Sequence, residues 1–284
     1  MDEGTLRRHL RLIFDSTAPR YVERIDPAFK PLAEGLVSFA ALRPDEHALD
    51  LGTGSGLAAI AAARHAARVV GLDLSRRLLE QARANSASLG LGNVDFVQGD
   101  MHTLSFAAGT FDVVLAAFSF NHTDPSHSFS EAARVLVPGG RLVIQEWGAN
   151  DAPSDIAYDA VVEYAVEDPP PPLAALREVI STPDAWDESI DGIEDLTRAI
   201  EAAGFRELAL HQETPSIHFE SIDAFLSFEL AWASRHEELE AMPPEWRDLL
   251  FSELHDRLEP HLTDESKLIW QPEVIRVRAV KAAR

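Results

Sequence analysis

From residue 36 onward, short and largely apolar runs alternate with longer segments in which apolar side chains return every three or four positions. The runs at 48–51, 69–72, 94–97, 113–116 and 142–144 read as buried strands, and 55–66, 75–89 and 126–136 read as helices. Five strands separated by helices predict an α/β fold with a parallel sheet, because each crossover is long enough for a right-handed βαβ unit. Pro138-Gly139-Gly140 is expected to close the third helix. After Trp147 the rhythm breaks, and the four prolines at 169–172 are expected to be neither helical nor part of a central strand, so they mark an insertion. Residues 195–203 then predict a helix stopped by Gly204, and alternating segments at 208–211 and 268–280 predict two closing strands, seven in all. Between them, 221–259 is rich in helix formers and reads as a lid of two or three helices, and the opening stretch through Phe39 is helical in pattern. The expected organisation is an N-terminal helical cap at 1–42 and a core at 43–150 completed by 195–215 and 267–284. Helical insertions of the same domain, at 151–194 and 216–266, would lie on the substrate side.

At 284 residues and 46% hydrophobic, the chain can bury a full core. No apolar run reaches the roughly 18 residues of a membrane span, and Asp2, Glu3, Arg7, Arg8 and Arg11 stand where a signal peptide would be apolar, so a cytoplasmic protein is expected. A net charge of −22 disfavours nucleic acid as a partner, since phosphate binding draws on lysine and arginine; the same acidity also serves solubility. The absence of cysteine removes disulfides, thiolate metal sites and cysteine nucleophiles.

The most informative stretch is Asp50-Leu51-Gly52-Thr53-Gly54-Ser55-Gly56, where a strand enters a glycine-rich turn ahead of an alanine-rich helix. Glycines there let a ligand approach the backbone, and the helix start offers free N–H groups. Asp73 ends the next strand, at a spacing from which an acid can bind both hydroxyls of a ribose. A nicotinamide fingerprint would need a third glycine where Leu57 stands, and a P-loop would need Gly-Lys-Ser or Gly-Lys-Thr. Asp50 ahead of the turn is poorly suited to a pyrophosphate and well suited to an ammonium group. The bland alternative for Asp50, Asp73 and Asp100 is an ordinary strand-end or helix cap.

On these residues the chain resembles the class I S-adenosylmethionine-dependent methyltransferases, in the small-molecule branch that holds the ubiquinone and menaquinone biosynthesis enzymes. Residues 50–56 resemble the family's first motif, 69–75 its second, 94–101 its third, 111–122 its fourth and 134–144 its Pro-Gly-Gly motif, in order and spacing. The resemblance implies a Rossmann-like, seven-stranded, mostly parallel sheet with helices on both faces, an antiparallel final strand and helical lid insertions. It implies S-adenosylmethionine as cofactor, with Gly52, Thr53 and Gly54 against its methionine part and Asp50 near the amino group. Asp73 would hold the ribose hydroxyls, while Asp100, Met101 and Leu74 would form the adenine slot. Ala117 and Phe118 would face the sulfonium, and Tyr21 would close over the donor.

Methyl transfer from a sulfonium needs no covalent enzyme intermediate, so placement of the acceptor and exclusion of water are the protein's main tasks. A base helps where the acceptor is a hydroxyl or an acidic carbon, and His122 is the candidate; the alternative for His122 and His127 is a loop histidine without a catalytic part. Asn121-His122-Thr123-Asp124 stands where enzymes acting on base or amide nitrogens carry an Asn-Pro-Pro-Tyr or Asp-Pro-Pro-Tyr motif, which disfavours those acceptors. No metal is expected, since no acid cluster stands out for magnesium. A small, partly apolar organic acceptor remains. A scaffold that binds the donor without turnover, and a protein methyltransferase with an acidic docking surface, are the competing readings. The residues leave open whether oxygen, nitrogen or carbon is methylated and how many copies assemble.

Overall fold

The computed structural model describes residues 3–181, 186 and 189–282. It divides into two compact units, a sheet unit of Phe29–Gly148, Pro183–Glu213 and Val274–Arg284, and a helical unit of Met1–Ala28, Ala149–Thr182 and Thr214–Glu273. The described strands are β1 (His47–Leu51), β2 (Arg68–Asp73), β3 (Val94–Gln98), β4 (Phe111–Ala117), β5 (Leu136–Trp147), β6 (Phe205–Glu213), β7 (Ile217–Phe219), β8 (Leu268–Trp270) and β9 (Val274–Lys281).

Seven of them form one sheet in the order β3-β2-β1-β4-β5-β9-β6. The first five pair in parallel, and β9 runs antiparallel to both neighbours, as expected for the final strand. The central strands are buried on both faces because successive side chains feed opposite cores: Leu49, Val114, Ala116 and Leu142 pack on one side, Ala48, Val113, Leu115 and Val143 on the other. The first core is closed by helices Pro125–Val135 and Ile193–Ala202, the second by helices Leu57–Ala62, Arg76–Ser88 and the part of helix Asp26–Ala40 beyond Ala28. Strand order reverses between β1 and β4, and in open α/β sheets the carboxyl ends beside such a reversal form a crevice for ligands.

The Pro-Gly-Gly sequence does not close the third helix. That helix, Pro125–Val135, gives way at once to extended backbone at Leu136, and Pro138, Gly139 and Gly140 lie within the span of β5, where its pairing with β4 shifts register. A Cβ on Gly140 would stand 2.9 Å from the Asp112 carbonyl oxygen, so the close approach of the two backbones is what requires glycine there.

The helical unit contains helices Glu3–Arg20, Ala152–Glu163, Pro171–Ser181, Ile222–Glu229, Ala233–Ala241 and Pro244–Leu258, with a π turn at Tyr21–Ile25. Two sequence expectations are corrected in it. Pro171 and Pro172 open a helix, which the first turn tolerates because its N–H groups have no partner within the helix. The segment at 268–280 is two strands: β8 pairs with β7 in a separate two-stranded sheet, and only β9 joins the large one. Among the described residues no helix is long and apolar enough to cross a membrane.

Candidate functional site

The glycine turn leaves β1 at the reversal of strand order. Gly52 and Gly54 have φ of +67° and +56°, which side-chain-bearing residues rarely adopt. A Cβ on Gly52 would run into Ser119, whereas one on Gly54 would meet nothing within 4 Å, so the turn is packed on its inner side and open at Gly54. Thr53 fixes the turn from within, its hydroxyl donating to Asp50 Oδ2 at 2.6 Å and its N–H to the Leu72 carbonyl at 3.0 Å.

Asp73 joins the two halves of the site. Gly54 N–H donates to its Oδ2 and Ser75 N–H to its Oδ1, both at 2.8 Å, and Ser75 in turn caps helix Arg76–Ser88. Two backbone N–H groups from separate segments thereby orient this carboxylate. Burial pushes the carboxyl of Asp50 up to about 7; the Thr53 hydroxyl and an N–H bond oppose that shift, and the charge of Asp73 adds to it.

Beside this turn, Gln98 Nε2 donates to the Leu74 carbonyl at 2.9 Å and Gly99 N–H to that of Asp73 at 3.0 Å. Asp100 Oδ1 accepts from His102 N–H at 2.9 Å, and the Met101 methyl lies 3.5 Å from where a Gly52 Cβ would stand. Asp50, Gly52, Thr53, Gly54, Asp73, Leu74, Asp100 and Met101 therefore come together at the carboxyl ends of β1, β2 and β3.

Ala117 ends β4, and Phe118 follows with φ of +53°, a backbone that costs a non-glycine residue about 1 to 3 kcal/mol. Its N–H donates to the Gln145 carbonyl at 2.7 Å, and its ring stacks on Trp147 with centroids 3.7 Å apart and planes 13° apart. Phe29 meets both rings edge-on, at 5.4 and 5.5 Å. Glu146, which sequence reasoning did not single out, is 4% exposed, and its Oε1 accepts from Phe120 N–H at 3.1 Å. Burial pushes its carboxyl up to about 8 against the pull of the Phe120 and Ser119 N–H groups. The only trace of it in the sequence is an acid at the end of an apolar strand, the signal that marked Asp73.

Tyr21 belongs to the helical unit, where its ring meets Trp232 edge-on at 6.2 Å. His122 ends the short turn Phe120–His122, and its side chain lies outside the described residues. His127 is exposed, with Nδ1 3.2 Å from Asp124 Oδ2. Among the described residues, no group of three or more histidine and acid side chains stands where it could hold a metal ion.

Residues 49–144 match a family described as a methyltransferase domain. Demethylmenaquinone methyltransferase of Corynebacterium kroppenstedtii is 30% identical over 182 residues, covering 62% of this chain and 74% of that protein. Nocamycin O-methyltransferase of Saccharothrix syringae is 28% identical over 266 residues, 88% of this chain and 91% of that protein. Other relatives are matched over less of their length: the chain spans 41% of an uncharacterised transposon protein of Streptomyces fradiae and 60% of demethylmenaquinone methyltransferase of Beutenbergia cavernae. Among solved structures, YcgJ of Bacillus subtilis has a TM-score of 0.56 at 19% identity, over 88% of this chain and 98% of that one. A phosphoethanolamine N-methyltransferase 2 of Haemonchus contortus, in complex with phosphomonomethylethanolamine and S-adenosylhomocysteine, has a TM-score of 0.57 at 18% identity, over 94% and 57%. At those identities the two structures speak for the fold alone.

Proposed function

We propose that this chain, which belongs to the methyltransferase-domain family of class I S-adenosylmethionine-dependent enzymes, binds S-adenosylmethionine at the carboxyl ends of β1 to β4 and moves its methyl group to a small organic acceptor. The observation that carries the reading is the joint formed by Gly54 N–H and Asp73 at 2.8 Å, with the turn open at Gly54 and Asp50 buried beneath it. Such a joint fits a ligand with hydroxyls at one end and an amino group at the other. Asp73 accepts from the two ribose hydroxyls while two backbone N–H groups keep it oriented. Gly52, Thr53 and Gly54 admit the methionine part, with Asp50 near its amino group. Leu74, Asp100 and Met101 line the adenine side, and Ala117 with Phe118 lies toward the sulfur.

The donor supplies a methyl group on a positively charged sulfur, which a nucleophile displaces directly. The residues of this chain then have two tasks, to fix the direction of approach and to keep water away, and the apolar surface of Phe118, Trp147 and Phe29 suits the second. Support for a small acceptor comes from the relative named for an O-methylation of nocamycin, which aligns over 88% of this chain, and from the net charge of −22, which disfavours polyanions.

The test is calorimetric titration of the protein with S-adenosylmethionine and S-adenosylhomocysteine, with NAD as the control. Micromolar binding of the first two and none of the third is expected. Binding of NAD alone, or of none of the three, overturns the reading.

A further inference from the structure

The turn after β4 is held more tightly than its length requires. Phe118 N–H is taken by the Gln145 carbonyl at 2.7 Å, Ser119 Oγ donates to the Leu51 carbonyl at 2.8 Å, and Phe120 N–H is taken by Glu146 Oε1 at 3.1 Å. Gly52 leaves the space that Ser119 fills. Two features of this arrangement are costly: a carboxyl group 4% exposed, and a phenylalanine with φ of +53°. A glycine at 118 would keep the backbone hydrogen bonds without the strain. What the phenylalanine adds is its ring, stacked on Trp147 and flanked by Phe29. Strain of this kind persists only where the surroundings over-determine it, and here they fix one direction for one aromatic ring.

We propose that Glu146 is a positioning residue: its buried carboxyl clamps residues 118–120 so that the Phe118 ring faces the sulfur of the bound donor and discriminates the charged donor from its neutral product. The inference rests on the donor site proposed above. A sulfonium is a cation and is drawn to an aromatic face; the thioether left after transfer is not. The clamp thereby favours S-adenosylmethionine over S-adenosylhomocysteine and eases product release. The ratio of the two affinities reports the ring's position without any acceptor. A loss of general stability weakens both ligands alike and leaves the ratio where it was.

The experiment measures dissociation constants for both ligands by calorimetry. Glu146→Met, which fills the space but accepts no hydrogen bond, is expected to weaken S-adenosylmethionine roughly five- to tenfold and S-adenosylhomocysteine less than about twofold. Glu146→Gln, whose amide oxygen still accepts from Phe120 N–H, is expected to keep the wild-type ratio. Phe118→Leu is expected to shift the ratio as far as Glu146→Met, and the double variant no further, since both remove one interaction. Equal weakening of both ligands by Glu146→Met, or additive shifts in the double variant, overturns the proposal. Should Glu146→Met not fold, hydrogen exchange in the wild-type protein decides: the Ser119 and Phe120 amides are expected to be protected more by S-adenosylmethionine than by S-adenosylhomocysteine, and equal protection overturns it. If neither ligand binds the wild-type protein, the donor site itself falls and this proposal with it; if both bind and the ratio does not move, the clamp alone falls.

Discussion

Glu229 in the helical unit and Glu146 in the sheet unit are both buried glutamates, 2% and 4% exposed, with carboxyl groups that burial pushes upward. They are accommodated differently. Glu229 pairs with the Arg235 guanidinium and accepts from Ser154 Oγ at 2.7 Å, so an ion pair and a hydroxyl from the same unit meet its charge. Glu146 takes backbone N–H groups, as Asp73 does, and Asp50 takes a hydroxyl. A paired charge serves the fold, because removing one member strands the other. Acids oriented by backbone N–H groups at the carboxyl ends of the strands stand where open α/β sheets bind ligands, which makes the sheet unit the place to look for chemistry.

The contrast breaks most visibly at Glu229. Glu229→Ala is expected to cost about 3 to 5 kcal/mol in urea unfolding by leaving Arg235 unpaired, and Glu229→Ala with Arg235→Met is expected to recover much of it. A loss below about 1 kcal/mol would show that the ion pair does not stabilise the unit. Gly52→Ala comes next, at about 2 to 4 kcal/mol, since the new Cβ meets Ser119 on a left-handed backbone. Its unfolding curve checks the value, and near-wild-type stability would show that the turn has room to move. Asp73→Ala is expected to weaken donor binding by about 1 to 3 kcal/mol in calorimetry, and unchanged affinity would remove Asp73 from the ribose.

The last effect concerns pH. Glu146 holds its proton up to about 8 in the folded protein, well above the ordinary carboxyl range, so the native state binds more protons than the unfolded one in between. Stability from this group is full below the ordinary carboxyl value and declines as pH rises toward 8, by at most about 1.4 kcal/mol per pH unit. Glu146→Gln carries no such proton, so its urea midpoint is expected to fall less than that of the wild type between pH 5 and 8. Parallel curves for the two proteins would contradict the shift.

The sheet was legible in the sequence because its strands are buried on both faces, and a run such as Val113-Val114-Leu115-Ala116 has no other economical reading. The glycine turn and Asp73 were legible because backbone shape and strand-end position are local properties. Glu146 was not, since what sets it apart is burial under a turn 26 residues earlier in the chain, and no local pattern encodes that. The left-handed Phe118 was hidden for a similar reason: three hydrogen bonds, two to β5 and one to β1, hold a conformation that its own side chain disfavours. In the helical unit, β7 and β8 have three residues each, too short for period two to register. The prolines misled because the rule against proline in helices lapses in the first turn, where Pro171 begins one.

The place of β9 between β5 and β6 sets a timetable for the molecule's birth. Chains leave the ribosome from the N-terminus, and β1 to β5 can assemble as they emerge. The edge of β5 and all of β6 must then wait with unpaired backbone until residues 274–281 have been made, because among the described residues β6 pairs with β9 alone and β9 separates it from the rest of the sheet. During that interval the nascent protein displays an open edge beside apolar surface, the condition under which chains stick to one another and chaperones are needed.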